Sequence, residues 1–148
     1  MNEHTTIRIA NKDDEIEGCF AVMAELRPHL ARDQFVERVR RQGEDNYRLA
    51  YLDSAGNVTA VAGFRISECL AWGKFLYVDD LVTASSARSR GRGQALLTWL
   101  VEHARANDCD ELHLDSGVQR FGAHRFYLRE GMDITSHHFV RKLKTDDS

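Results

Sequence analysis

A mixed α/β domain is predicted, and three observations predict it. The apolar period switches repeatedly between the strand value of about 2 and the helix value of about 3.6. The segments so marked intersperse strands with helices and show no internal repeat, linker or low-complexity stretch. A chain of 148 residues with 43% hydrophobic and 29% charged side chains is long and apolar enough for one globular core.

The elements follow in order. Residues 6–10 set Ile7 and Ile9 against polar partners, which predicts a first strand. Asn11 or Asp13 can cap a helix running to about Arg27, because Ile16, Cys19, Phe20, Met23 and Leu26 fall on one helical face. The one proline, Pro28, ends it. A second helix over 32–41 carries Phe35, Val36 and Val39. Strands at 47–52 and 58–66 join in a hairpin around residues 54–57, and 75–83 is a third long strand. Leu96, Leu97, Leu100, Val101 and Ala104 stripe a helix over 94–106. A short strand at 111–115, a helix at 121–129 ending at Gly131, and a strand at 138–143 complete the order β-α-α-β-β-β-α-β-α-β. Residues 1–148 are read as one domain with a disordered tail at 144–148.

Several function classes recede on composition. A net charge of −3 disfavours a general nucleic-acid binder. No apolar run approaches the roughly 18–20 residues of a membrane span, and the N-terminus lacks a signal-peptide pattern, so the expectation is a cytoplasmic protein. Cys19, Cys69 and Cys109 are odd in number and widely spaced, which suits reduced, mostly buried thiols. Among the seven histidines, His137 and His138 are adjacent and would face opposite sides of a strand, and no HExxH spacing occurs, so no metal site is expected.

The stretch VTASSARSRGRGQALL is too basic and too bare for an ordinary turn. Gly91 and Gly93 lie between a strand and the best helix of the chain, with Arg88, Arg90 and Arg92 around them. Backbone N–H groups at a helix start, the helix dipole and the missing side chains together describe a seat for phosphate or pyrophosphate. A basic helix-capping turn is the plainer alternative. No Walker lysine is present, and the third Rossmann glycine is Leu96.

The pattern R-x-x-G-x-G, made by Arg88, Gly91 and Gly93, resembles the acyl-coenzyme-A signature of the GNAT superfamily of N-acetyltransferases. A second pattern agrees: Ala123, Tyr127, Gly131 and Met132 match A-x-x-x-Y-x-x-x-G-[FM], and the element order matches over nearly the whole chain. One position departs, since Arg120 stands where many relatives have asparagine. The resemblance implies a central twisted, mostly antiparallel mixed sheet of about six to seven strands, flanked by four helices and splayed between the fourth and fifth strands. It implies acetyl-coenzyme A as co-substrate, with its pyrophosphate on the backbone of Arg88, Ser89, Arg90, Gly91, Arg92, Gly93 and Gln94. Its pantetheine arm would lie along Leu81, Val82 and Thr83, where the Leu81 N–H faces the thioester oxygen.

Tyr127 occupies the family's general-acid position, since a phenol keeps its proton at neutral pH; the alternative is a packed aromatic beside Phe126. Asp79 and Asp80 interrupt the apolar run LYVDDLV, where carboxylates need partners. Either one of them contacts an acceptor ammonium, or they cap N–H groups and pair with arginine. Strand alternation allows at most one to face the acceptor. Glu25 is a weaker acceptor candidate, with a solvated surface role as its alternative. The implied reaction is acetyl transfer to an amine, with a small molecule favoured over a protein lysine or N-terminus; a non-catalytic acyl-coenzyme-A sensor is a third reading. Dimers are common in the family, and no feature here demands one.

Overall fold

The computed structural model describes residues 4–88 and 91–144. Two compact units divide after Leu114. The first holds β1 (Thr5–Ile9), α1 (Asp13–Gly18), α2 (Phe20–Leu26), α3 (Arg32–Gly43), β2 (Tyr47–Ser54), β3 (Asn57–Cys69), β4 (Gly73–Thr83), α4 (Arg92–Ala106) and β5 (Glu111–Leu114). The second holds α5 (Phe121–Arg129).

The first unit is built on a five-stranded sheet of order β1-β2-β3-β4-β5. The first three pairings are antiparallel, and β5 joins β4 in parallel. Parallel pairing needs a crossover, and α4 supplies it. Pairing of β4 with β5 runs only from Phe75↔Glu111 to Val78↔Leu114. Residues 79–83 therefore extend beyond β5.

Helices cover both faces. Ile16, Met23 and Phe35 of α1–α3 join Leu49 and Val61 in one apolar cluster. Phe20 meets Phe35 edge-on at 5.4 Å between ring centroids. On the opposite face Phe64, only 1% exposed, meets Trp99 of α4 at 6.0 Å and His103 at 5.3 Å. Leu76, Leu96 and Leu100 are fully buried.

The predicted first helix is two helices. The Cys19 N–H turns back to Ile16 O at 3.0 Å, tightening the chain just after Gly18, a poor helix former. Five helices therefore stand where four were expected. The cap is neither Asn11 nor Asp13. Lys12 occupies the N-cap position, and the Glu15 carboxylate accepts the N–H groups of Lys12 at 2.8 Å and Asn11 at 3.0 Å. Cys19 is buried and its thiol is pushed up to about 12 by that burial, whereas Cys69 and Cys109 are only partly covered, against the expectation of mostly buried thiols.

Among the described residues five strands are found rather than six or seven, and the expected strand at 138–143 is absent. The reason is in its pattern. Phe139 and Val140 are adjacent, as are Arg141 and Lys142, so neither set of alternate residues is wholly apolar and neither face favours burial. Lys144 is the last described residue, and the rest of the expected tail, 145–148, lies outside the described residues.

In the second unit α5 ends as predicted. Gly131 has φ +91°, the Gly131 N–H bonds Leu128 O at 3.1 Å, and the Met132 N–H bonds Tyr127 O at 3.0 Å. These two bonds are a Schellman cap, which favours glycine at this place. The A-x-x-x-Y-x-x-x-G-M pattern thus includes the stop signal of the helix that carries Tyr127.

Phe64→Ala is expected to cost about 3–5 kcal/mol, because it empties a fully packed site between β3 and α4. Urea unfolding checks this, and a loss near zero would mean that α4 closes onto the sheet without it.

Candidate active site

The site begins with an irregularity in β4. Register runs Gly63↔Asp80 and then Phe64↔Val78, which leaves Asp79 as an extra residue opposite β3. Such a bulge breaks strict alternation and re-aims its side chains. Asp79 and Asp80 consequently line the same cavity, of about 280 Å³. The expectation that only one of them could face it fails for that reason.

Both carboxylates pair with arginines, as one of the two sequence readings anticipated. Asp80 Oδ1 accepts from Arg27 Nε at 2.9 Å, and Asp80 Oδ2 accepts from the Tyr47 hydroxyl at 2.8 Å. Arg27 also donates to Asp79 O at 3.0 Å. Asp79 Oδ2 accepts from Arg65 Nε at 3.0 Å. Arg65 is held in turn by Gln42 Oε1 at 3.0 Å and Asp45 O at 3.3 Å. Asp79 Oδ1 is buried with no partner among the described residues.

Burial pushes the Asp79 carboxyl above its ordinary value, and Arg65 pulls it partly back. Burial pushes the Tyr47 phenol well up, and the Asp80 charge adds to the shift. Tyr47 is thus a firm donor to Asp80.

Sequence reading missed Arg27, Tyr47 and Arg65. Gly63 was the available signal. A glycine inside the apolar strand VTAVAGFRI marks a close approach. Here a Cβ would overlap the Tyr47 hydroxyl and the Asp80 carboxylate.

Beyond the bulge, Leu81, Val82 and Thr83 pair with Ala62, Val61 and Ala60 of β3. Their other edge lies past the end of β4–β5 pairing. The chain then passes a 3-10 turn, Ser85–Ala87, and reaches α4. Gly91 is the N-cap, with φ +75°, and among the described residues nothing beyond its own chain neighbours lies within 4 Å of where its Cβ would be. The first helical bond is Ala95 N–H to Gly91 O at 3.0 Å. The N–H groups of Arg92, Gly93 and Gln94 precede it in the first turn, at the positive end of a 15-residue helix. Arg88 is 62% exposed beside this end. These residues fit a pyrophosphate-bearing co-substrate. The Arg92 side chain reaches the end of β2, where its Nη2 donates to Ser54 Oγ at 3.1 Å. Ser89 and Arg90 lie outside the described residues.

Glu25 does not line the carboxylate cavity. Its Oε1 accepts the Ser85 N–H at 2.9 Å and lies 4.0 Å from Arg88 Nη2, so it fastens the turn between β4 and α4. In the second unit, burial raises the Tyr127 phenol above its usual value and Arg120 pulls it partly back, so Tyr127 is protonated at neutral pH. Among the described residues no group of three or more His, Cys, Asp or Glu could hold a metal, and no helix is long and apolar enough to cross a membrane.

The sequence pattern of the acetyltransferase (GNAT) family matches residues 8–132. An uncharacterised N-acetyltransferase of Bacillus subtilis, YhdJ, is 31% identical over 138 residues, which are 92% of this chain and 96% of that protein. The aminoalkylphosphonate N-acetyltransferase of Salmonella typhimurium is 35% identical over 66 residues, 45% of this chain and 43% of that one. In fold, the aminoglycoside N-acetyltransferase AAC(6')-Iy solved with CoA superposes with a TM-score of 0.83 over 97% of this chain and 98% of that one, at 17% identity. The chain belongs to the GNAT family and is an acetyl-coenzyme-A-dependent N-acetyltransferase.

Gly63→Ala is expected to displace Tyr47 from Asp80. It should lower kcat/KM for the acceptor about tenfold or more and cost roughly 1–3 kcal/mol in urea unfolding, while the acetyl-coenzyme A Kd holds. Unchanged acceptor kinetics would show that the Tyr47–Asp80 contact is dispensable.

Asp79 supplies a pH test. Its folded pKa lies above the unfolded value of about 3.9, so ionising it opposes folding. That opposition is absent below about pH 3.9 and sets in as pH rises through the raised folded value. Asp79→Asn, which never ionises, should therefore gain stability relative to the parent as pH is raised from about 3 to 7. The opposite trend would mean that the Arg65 pair outweighs the burial.

Proposed function

We propose that this enzyme acetylates a small-molecule amine by direct attack, with Tyr127 as the general acid. The observation that carries this reading is continuity along one strand: the carboxylate cavity at Asp79 and Asp80 and the anion seat at α4 are consecutive stretches of β4 and its exit. Acetyl-coenzyme A, when bound, supplies an activated acyl group. The first-turn N–H groups from Gly91 to Gln94, with Arg88, Ser89 and Arg90, hold its pyrophosphate. The open edge of Leu81, Val82 and Thr83 takes the pantetheine amides, and the Leu81 N–H stabilises charge developing on the thioester oxygen.

The acceptor enters the Asp79–Asp80 cavity, whose volume suits a small molecule better than a folded protein segment. An ammonium must first give one proton to water to become a nucleophile, and the nitrogen gives a second to water as the amide forms. As the new C–N bond forms and the C–S bond breaks, Tyr127 gives its phenolic proton to the departing sulfur and regains one from solvent. A phenol whose pKa is raised by burial holds that proton through neutral pH. The named activities of two relatives, on aminoalkylphosphonates and on aminoglycosides, support a small acceptor.

Thiol release from acetyl-coenzyme A, measured across small amines and lysine peptides, tests the acceptor class. Release with peptides alone would replace the small-molecule reading, and binding without any turnover would favour a sensor. Tyr127→Phe should lower kcat by about a hundredfold, with the acetyl-coenzyme A Kd unchanged. An unaltered rate in single-turnover measurements would remove Tyr127 from the acid role.

A further inference from the structure

The cavity holds one arginine that the protein leaves uncompensated. Arg38 lines it from α3, on the helical face it shares with Phe35, Val39 and Gln42 at spacings of three, four and seven residues. That face is otherwise directed at the sheet, and Arg38 is half-buried on it. Arg27, the other cavity arginine, is taken up by Asp80 and by Asp79 O. Arg65 is taken up by Asp79. Arg38 has no hydrogen bond or ion pair among the described residues. A guanidinium partly withdrawn from water without a carboxylate is held at a cost, and a bound anion would offset it.

The charges around the cavity can be followed pair by pair. Asp80 with Arg27 and Asp79 with Arg65 each sum to zero, which leaves the positive charge of Arg38. The cavity thus presents one cation that no described residue offsets.

We propose that the acceptor is an amine that also carries an acidic group, with Arg38 binding the acid. This rests on the small-amine reading above and names its substrate class. The charge argument is specific to the reactive state. With the amine neutral and ready to attack, a carboxylate-bearing acceptor carries one negative charge and a phosphonate- or phosphate-bearing one about one to two, and either opposes the excess positive charge of the cavity. A polyamine in the same state still carries positive charge elsewhere and is repelled by Arg38. Arg38 is therefore a specificity-determining residue, and the arginine's planar fork suits a carboxylate, phosphonate or phosphate.

The test compares 2-aminoethylphosphonate and 3-aminopropanoate with propylamine and spermidine by thiol release. The acid-bearing amines should have kcat/KM about tenfold or more above propylamine, the worth of one charge-assisted contact. In Arg38→Gln that ratio should collapse toward one through KM, and Arg38→Lys should restore part of it. Equal or better turnover of propylamine and spermidine, or a ratio untouched by Arg38→Gln, overturns the proposal. If no amine releases thiol, the small-amine reading fails separately, and calorimetry of 2-aminoethylphosphonate with the CoA-bound enzyme decides this one. Heat that is lost in Arg38→Gln upholds it, and no binding to the parent enzyme overturns it.

Discussion

One extra residue in β4 organises the first unit of this protein. With regular pairing, Asp79 and Asp80 would point to opposite faces, and one carboxylate would be driven into the apolar layer around Phe64, Leu76 and Leu100. The bulge opposite Gly63 and Phe64 removes that conflict. It returns Val78 to the α4 face and places both carboxylates on the side of α2 and α3, where Arg27, Arg65 and Tyr47 meet them. A strand can carry two adjacent acids through a hydrophobic sheet only if something breaks its alternation, and here the break falls beside the point where β5 pairing ends.

Gly63 and the bulge work together. Asp80 and Gly63 are register partners, and the Tyr47 phenol lies across the space where a side chain at 63 would stand. Tyr47 then donates to Asp80, and Arg27 bridges the Asp80 carboxylate and the Asp79 carbonyl. The Asp80 carboxylate is thereby fixed in orientation from two elements, and the Asp79 carboxylate from β3 through Arg65, which is what a cavity wall needs if it is to select a ligand rather than adapt to many. Glu25 has a corresponding role at the other end of β4, since its hold on Ser85 and its approach to Arg88 fasten the turn that leads into α4.

The sequence made the donor side legible and the acceptor side only partly so, for a physical reason. A phosphate seat is made of backbone, so its requirements fall on contiguous residues that must be glycine or must start a helix, as Gly91 and Gly93 do. The α5 cap at Gly131 was readable in the same way, because a positive φ restricts which residue can stand there. The cavity proposed for the acceptor is made of side chains from α2, α3, β2, β3 and β4, and no local pattern links Arg27, Arg38, Tyr47 and Arg65 to Asp79. The strand expected at 138–143 is absent because alternation fails there.

The division between backbone and side chain also bears on how this fold accommodates different acceptors. In the proposed binding mode, pyrophosphate and pantetheine amides are recognised by N–H and C=O groups that every sequence possesses, so that donor site persists wherever β4 and α4 keep their geometry. Acceptor recognition, in the same proposal, depends on which charges α2 and α3 direct toward the bulge. In this chain those helices contribute one arginine that neutralises Asp80 and a second that no described residue neutralises. The first arginine makes the buried acids tolerable, and the second gives the cavity its sign. Moving a single charge on α3 would alter that sign without touching the bulge, the strand edge or the helix start. Specificity can therefore vary along α3 while the acetyl-transfer apparatus on β4 and α4 stays intact.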